Sequence, residues 1–434
     1  MTIAEVKLWG RTIGAVSWDD DRGFANFEYD PAFIDSGREL APLMMPLSGE
    51  IYSFPALARE TFSGLPGLLA DSLPDTFGNA LIDAWLARQG RSPGHFNSVE
   101  RLCYTGTRGM GALEFVPATG PSYTQSEQVD VAALVELASE ILTKRNAIGG
   151  SFAAPDREEA LQDILRVGTS AGGARAKAII AWNPKTDEVR SGQITAGTGF
   201  SYWLLKFDGV AGNKDRELED PQGYGLIEYA YHKMACEAGI QMTECRLLRE
   251  NNRNHFMTKR FDRTDAGRKI HMQSLCAMAH YDFNQAGAYS YEQALRVIQK
   301  LGLPKDAVDE QFRRMAFNIV GRNQDDHVKN IAFLMDRSGR WSLSPAFDVT
   351  YSYNPSGPWT GTHQMSLNGK RDNFEADDFI ACAENAAMKR GRAIEILLQV
   401  QQAVSRWKGF AQDAGVPREK IREIASAHRT EIIS

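Results

Sequence analysis

The chain has 434 residues, of which 43% are hydrophobic and 24% charged, and these values are ordinary for a globular protein of two or three domains. Its 49 basic and 55 acidic residues give a net charge of −6, which argues against a broad nucleic-acid-binding surface. No apolar run could span a bilayer and the first residues lack the form of a signal peptide, so we expect a cytoplasmic protein with no membrane segment. The five cysteines form no CxxC pair, so we expect neither a disulfide framework nor a structural zinc site.

Residues 1–120 predict a small α/β subdomain. Alternating apolar runs in VKLWG, TIGAVSW and GFANFEYD indicate strands. Pro74 and Asp75 open a helix with apolar residues at helical spacing, and Gly90 stands where that helix would end. A stretch rich in proline, glycine and serine follows, and we place a domain boundary near residue 120.

Residues 121–262 predict a β-rich lobe. The runs ARAKAIIAW, SYWLLKFD, ECRLLRE and HFMTKRFD indicate strands, and VDVAALVELASEILTK indicates an amphipathic helix. A second helix, GLIEYAYHKMACEAG, follows the strand SYWLLKFD, and we expect its Cys236 to lie in the core.

Residues 263–434 predict a mainly helical lobe, with helices in YSYEQALRVIQKLG and in AIEILLQVQQAVSRWKGFAQDAG. A β-rich lobe followed by a helical lobe is a two-lobed α+β pattern, and ligands favour the cleft between such lobes.

The segment NQDDHVKN, residues 323–330, carries a D-x-x-x-x-N spacing from Asp325 to Asn330. In protein kinases this spacing lets the aspartate accept the proton of the substrate hydroxyl while the asparagine binds magnesium. Asp326 competes for the role of base, and the spacing favours Asp325. We expect His327 to orient the loop by hydrogen bonding and not to act as the base.

A hairpin predicted after this loop would return the chain to the same place. IAFLMD and WSLSPAFD read as two strands joined by a turn that contains glycine, so Asp348 would lie beside Asn330 as a second metal ligand. The residues Phe347-Asp348-Val349 replace the DFG of protein kinases.

The β-rich lobe supplies candidates for nucleotide binding. Lys206 ends an apolar strand and Glu228 lies in the next helix, which is how kinases aim a lysine at the phosphates. The segment GTSAGGARAK, residues 168–177, has small residues whose backbone could approach phosphates closely. It is not a Walker motif, GxxxxGK(S/T), and no GxGxxG occurs.

Together these motifs resemble the HipA family of bacterial serine/threonine kinases, the toxin halves of toxin–antitoxin pairs. The resemblance rests on TSAGGARAK, LLKFD, KRFDR, NQDDHVKN and SPAFDVTYS, and on LPGLLADSLPD and GTRGMGALEF near the N-terminus. It covers nearly the whole chain. It implies a two-lobed protein-kinase-like fold preceded by a small N-terminal subdomain.

The resemblance also implies roles for individual residues. Asp325 would be the catalytic aspartate, Asn330 and Asp348 the magnesium ligands, and Lys206 the lysine on the phosphates of ATP. The remaining residues that we expect at the nucleotide are Ser170, Ala171, Gly172, Gly173, Lys177, Lys259, Phe261, His327, Lys329 and Phe347.

Three of these expectations are more specific. Lys259 to Phe261 match the linker where adenine bonds the backbone, and Phe347 matches an aromatic that packs against the base. Ser170 matches the family's autophosphorylated serine, whose added charge expels the phosphate loop and stops the kinase.

The resemblance implies partners as well. The substrate would be a protein such as an aminoacyl-tRNA synthetase, and a HipB-like helix-turn-helix antitoxin would link the chain indirectly to DNA. Two alternatives stay open. One is a kinase of small molecules, and the other is a nucleotide-binding co-repressor that acts through a DNA-binding antitoxin.

Overall fold

A computed structural model gives the fold of the chain. It describes residues 1–92, 94, 96–121, 126–143, 164–165, 167, 175–210, 214–215, 218–219 and 222–433. Within this part of the chain, no helix is both long enough and apolar enough to cross a membrane.

The N-terminal region is a four-stranded antiparallel sheet with short helices packed against it. Its strands are β1 (Ile3–Leu8), β2 (Arg11–Asp19), β3 (Phe24–Tyr29) and β4 (Leu113–Val116), in the spatial order β3-β2-β1-β4. Its helices are Pro31–Ile34, Arg59–Phe62, Gly67–Ala70, Thr76–Arg88 and Ser98–Thr105. Alternate strand residues are buried because one face of the sheet packs on the helices.

The second region is a five-stranded antiparallel sheet. Its strands are β5 (Lys177–Asn183), β6 (Glu188–Ser191), β7 (Ser201–Lys206), β10 (Cys245–Glu250) and β11 (Arg253–Lys259), in the order β10-β11-β7-β5-β6. The short strands β8 (Lys214–Asp215) and β9 (Leu218–Glu219) pair with each other. The helices Val131–Thr143 and Tyr224–Glu237 belong to this region.

The helix Thr76–Arg88 joins these two regions. It begins where the sequence predicts, because the Asp75 carboxylate accepts a hydrogen bond of 2.6 Å from the backbone N–H of Gly78. Phe77 and Leu81 on this helix lie in the same apolar core as Ala178 and Ile180 of β5. The N-terminal region therefore packs directly on the second sheet.

The third region is mainly helical and holds the largest apolar core. Its helices are Leu275–Ala279, Tyr291–Lys300, Lys305–Val320, Ala376–Asn385, Arg390–Ser405, Trp407–Ala414 and Arg418–Ala427, with a 3₁₀ turn at Val328–Asn330. A small antiparallel sheet of β12 (His271–Ser274), β13 (Ala332–Met335) and β14 (Trp341–Leu343) contains the predicted hairpin.

The stretch predicted as helical near the C-terminus forms two helices that meet at Arg406, where Trp407 begins the second helix and is buried. One local prediction was wrong. Cys236 is exposed, because at helical spacing it shares the outward face with Lys233 and not the buried face of Met234 and Ala235.

Candidate active site

The segment 323–330 closes on itself to bring both ends of the D-x-x-x-x-N spacing together. The side-chain amide of Asn330 donates a hydrogen bond of 2.9 Å to the backbone carbonyl of Asp325. The 3₁₀ turn Val328–Asn330 makes this approach possible and leads directly into β13. Since the amide nitrogen of Asn330 is used in this bond, its side-chain oxygen is the atom suited to a cation.

The carboxylate of Asp325 is held by a neutral donor. The indole N–H of Trp359 donates a hydrogen bond of 2.7 Å to Oδ1, and Nε2 of His327 lies 3.9 Å from Oδ2. Trp359 was missed by sequence reasoning, because 34 residues separate it from Asp325 and no spacing signal joins them.

The neighbouring Asp326 is fully buried and serves a different purpose. It accepts hydrogen bonds from the Tyr291 hydroxyl at 2.5 Å and the Gln364 N–H at 2.7 Å, and Nδ1 of His363 lies 2.7 Å from it. Burial alone would raise the pKa of this carboxyl, but His363 and the hydrogen bonds lower it below its usual value. The oxygens of Asp326 are thus engaged within the protein, and the role of Asp325 as the base stays a prediction.

Lys206, Glu228 and Asp348 form one ion-pair cluster. The Lys206 ammonium lies 2.5 Å from Oε1 of Glu228, and it also pairs with Oδ1 of Asp348. The Glu228 side chain is buried, and burial raises its pKa although Lys206 opposes that rise. The structure thus brings together a strand lysine, a helix glutamate and the aspartate that follows the hairpin.

The electrostatics of the cluster keep Asp348 ionised. Burial would raise the pKa of Asp348, but the positive charges of Lys206 and Lys177 lower it to about 2. Burial would lower the pKa of Lys206, but Asp348 and Glu228 raise it above its usual value. Asp348 also has a φ of +52°, a left-handed conformation that is uncommon for a residue with a side chain and that occurs at functional sites.

Asn330 and Asp348 line one small cavity, together with Phe347 and His327. An ionised carboxylate and an amide oxygen are hard oxygen donors of the kind that magnesium prefers. The residues present therefore fit a magnesium ion, whose remaining ligands would be phosphate oxygens and water.

An aromatic pair stands beside this cavity. The ring centroids of Phe261 and Phe347 are 5.7 Å apart, with an angle of 43° between the planes. The backbone N–H groups of Lys259 and Arg260 already donate to Glu244 and Tyr202 carbonyls. Hydrogen bonds to an adenine at residues 259–261 would thus depend on Phe261 or on carbonyl oxygens.

Three other residues predicted to contact the nucleotide have side chains that contact other parts of the protein. The Lys259 ammonium lies 2.7 Å from the exposed carboxylate of Asp265. The Lys329 ammonium lies 5.0 Å from the ring centroid of Phe283, and the His327 ring lies 5.3 Å from the same centroid. The two contacts with Phe283 orient the loop around Asp325.

The predicted phosphate segment is described only in part. Ser170, Ala171, Gly172 and Gly173 lie outside the described residues. Lys177, at its end, is described and lies opposite Lys206 on the neighbouring strand. Its ammonium forms a buried ion pair of 3.0 Å with Asp75, a contact that the sequence did not predict.

Comparisons with known proteins agree with this architecture. Residues 4–116 match the HipA N-terminal domain, and residues 169–407 match the HipA-like C-terminal domain. No curated protein matches the chain.

The solved structures similar to the chain include the following two. One is the complex of HipA, HipB and operator DNA from the Shewanella oneidensis MR-1 toxin–antitoxin system, with a TM-score of 0.66, 18% identity, and coverage of 99% of this chain and 95% of that chain. The other is the Helicobacter pylori proinflammatory kinase CtkA, with a TM-score of 0.36, 13% identity, and coverage of 55% of this chain and 91% of that chain.

The predicted fold is confirmed: a two-lobed kinase-like α+β fold preceded by an N-terminal subdomain. The three predicted domain ranges and the roles of the site residues stay predictions. The matched domains together span most of the sequence and include every motif on which the resemblance rests. The chain belongs to the HipA family.

Proposed function

We propose that this protein is a serine/threonine protein kinase that uses ATP and magnesium and acts as the toxin of a toxin–antitoxin system. The observation that carries the proposal is the cluster of Lys206, Glu228 and Asp348 beside the closed loop of Asp325 and Asn330. These are the parts that phosphoryl transfer in kinases requires, and here they come from four separate segments of the chain.

Each residue of the cluster has a definite task. Lys206, fixed by Glu228, directs a positive charge at the phosphates, and Asp348 and Asn330 hold the cation. Asp325 aligns the acceptor hydroxyl and takes its proton, with one carboxylate oxygen fixed by Trp359. ATP with magnesium supplies the phosphoryl group and neutralises charge as that group is transferred.

The proposed acceptors are proteins. We include Ser170 in the chain itself as a site of autophosphorylation, and an aminoacyl-tRNA synthetase as a candidate cellular substrate. A HipB-like helix-turn-helix antitoxin is the proposed partner, with DNA contacted only through it. Membership of the HipA family supports these assignments, as does the Shewanella HipA structure with HipB and operator DNA.

The test uses dephosphorylated protein, ATP labelled at the γ-phosphate, and magnesium. Wild type is compared with Asp325→Asn and with Asp20→Asn, a control at an exposed carboxylate near the N-terminus. Label in the wild type and the control, mapped by mass spectrometry to Ser170, is the expected result. Asp325→Asn should reduce the rate about 10²–10⁴-fold, because it removes the general base.

Two results would contradict the proposal. If Asp325→Asn transfers label as fast as wild type, Asp325 is not the base. If the wild type binds ATP but transfers label neither to itself nor to added protein, the proposal of protein kinase activity is wrong. Small-molecule acceptors and a co-repressor role would then be the functions to test.

A further inference from the structure

Two lysines stand side by side on the sheet above the candidate site. Lys177 of β5 and Lys206 of β7 are direct partners in the antiparallel pairing, so their side chains leave the same face of the sheet. Lys206 pairs directly with Glu228 and Asp348. Lys177 therefore stands beside the cation of this ion-pair cluster.

Each lysine has a buried acidic partner, but the two partners have different origins. Glu228 comes from the helix Tyr224–Glu237 of the same lobe, whereas Asp75 comes from the N-terminal subdomain. Oδ2 of Asp75 lies 3.0 Å from the Lys177 ammonium, and both side chains are 6% exposed. The ion pair of Asp75 and Lys177 is therefore buried, and a buried charge is costly unless it is paired.

The two oxygens of Asp75 have separate tasks. Oδ1 accepts the 2.6 Å hydrogen bond from Gly78 that caps the helix Thr76–Arg88, and Oδ2 faces Lys177. Because Phe77 and Leu81 of that helix lie in the same core as β5, the carboxylate is fixed relative to the strand. A rigid support of this kind can hold a lysine side chain in one position.

The electrostatics extend the link to the catalytic loop. Burial raises the pKa of Asp75 above its usual value, although Lys177, the Gly78 N–H and Lys329 oppose the rise. Lys329 lies in the segment that carries Asp325 and Asn330. Asp75 thus interacts with charges from both the sheet and the loop.

We propose that Asp75 is a positioning residue of the phosphate-transfer site: it holds the Lys177 ammonium for the phosphates of a nucleoside triphosphate, as Glu228 holds Lys206. The inference rests on the proposed function and deepens it. It makes the N-terminal subdomain a working part of the kinase site, because the second phosphate lysine is held from outside the two lobes.

Asp75→Asn is the informative variant. Asparagine is as good a helix cap as aspartate, so the bond to Gly78 is retained and only the charge facing Lys177 is lost. Asp30→Asn is the matched control, because Asp30 caps the helix Pro31–Ile34 of the same subdomain through a 2.9 Å bond from the Ala32 N–H. Lys177→Met and the double variant Asp75→Asn/Lys177→Met complete a double-mutant cycle.

The full chain is assayed for kcat and KM for ATP by label transfer, and for the affinity of the non-hydrolysable analogue AMP-PNP with magnesium. We expect Asp75→Asn and Lys177→Met each to reduce kcat about tenfold, and the double variant to be no slower than the slower single variant, since coupled residues are not additive. The loss should fall mainly on kcat and not on KM, and Asp30→Asn should resemble wild type.

Independent, additive losses would overturn the inference, because a residue that acts through Lys177 has nothing left to affect once Lys177 is gone. So would an unchanged kcat in Asp75→Asn with only a lower melting temperature, which is the result expected of a purely structural ion pair. If Asp75→Asn fails to fold, the cycle is repeated with Asp75→Glu and Lys177→Arg, which keep both charges and change only their reach.

Failure of this inference is distinguishable from failure of the proposed function. Full transfer by Asp325→Asn contradicts only the assignment of the base, and the cycle is then still read on kcat. No transfer by wild type contradicts the kinase proposal itself, and the cycle is then read on AMP-PNP affinity alone. Unchanged or additive affinities overturn the link between Asp75 and Lys177, and non-additive losses support it.

Discussion

The strands β5 and β7 and the loop 323–330 hold their charged residues in different ways. On the strands, Lys177 and Lys206 each have a buried carboxylate as partner. In the loop, Asp326 is enclosed by three polar groups, whereas Asp325 accepts a hydrogen bond from an indole. The strands therefore present cations fixed by counter-charges, and the loop presents the Asp325 carboxylate with a hydrogen bond from a neutral indole.

The difference shows how adjacent aspartates can have separate functions. A buried carboxylate is costly unless its charge is paired and its oxygens are hydrogen-bonded, so Asp326 demands a dedicated set of partners. Those partners tie the loop to Tyr291 and to the segment of His363 and Gln364. Asp325 is then presented by a backbone that its neighbour has fixed in place.

The largest expected effect comes from removing the anchor of the loop. Asp326→Ala leaves the Tyr291 hydroxyl, the Gln364 N–H and His363 without their acceptor, and should lower the free energy of unfolding by about 3–5 kcal/mol. Urea denaturation followed by tryptophan fluorescence measures this loss. Asp21→Ala, at an exposed turn, is the control and should change stability little. Equal stabilities of the two variants would contradict an anchoring role for Asp326.

The next effect concerns the cations on the strands. Glu228→Gln removes the counter-charge that fixes Lys206 and leaves Asp348 as its remaining partner, so the ammonium should be drawn toward the metal ligand. A misplacement of about 1 Å can reduce a rate about a hundredfold, and we expect a loss of that order in phosphate transfer from labelled ATP.

The control for that experiment lies on the same helix. Glu237→Gln changes an exposed glutamate at the end of the helix that carries Glu228. Glu237 pairs with Arg406 and not with Lys206. The variant should transfer phosphate like wild type. If both variants had the same rate, the pairing of Lys206 with Glu228 would have no part in the reaction.

Much of the fold could be predicted because its signals are local. The alternation in β1 and β2 and the apolar runs of β5 and β7 identify strands without any knowledge of their neighbours. The break at Arg406 could not be predicted. The sequence on both sides keeps a helical pattern, and the division depends on where Trp407 packs in the core.

The site divides in the same way. Asp325, Asn330 and Asp348 lie within one loop and hairpin, so their spacing along the chain indicates that Asn330 lies near both: its side chain bonds the Asp325 backbone and lines one cavity with Asp348. The sequence around Asp75 indicates only a helix cap, which uses one carboxylate oxygen. It gives no information about what the other oxygen contacts. Lys177, the partner of Asp75, is distant in sequence, and only the packing of the helix Thr76–Arg88 on β5 brings them together.

The smallest expected effect separates the acid sensitivity of the scaffold from that of the site. His271 of β12 is buried against the edge of Trp341, with ring centroids 5.7 Å apart, and burial lowers its pKa from 6.5 to about 3. Between these values the unfolded chain binds a proton that the folded chain does not. Stability must therefore fall as the pH falls, by about 2 kcal/mol from pH 7 to pH 5 for this one residue.

His271→Gln should remove that contribution, so the difference between the unfolding free energies at pH 7 and pH 5 should shrink by about 2 kcal/mol. Trp341→Phe keeps the histidine and an aromatic neighbour, and should retain the full difference. An unchanged difference in His271→Gln would mean that the folded protein protonates His271. Since His271 lies in neither β5, β7 nor the loop 323–330, its loss should leave the pH profile of phosphate transfer unchanged, and any acid limb in that profile then belongs to the site itself.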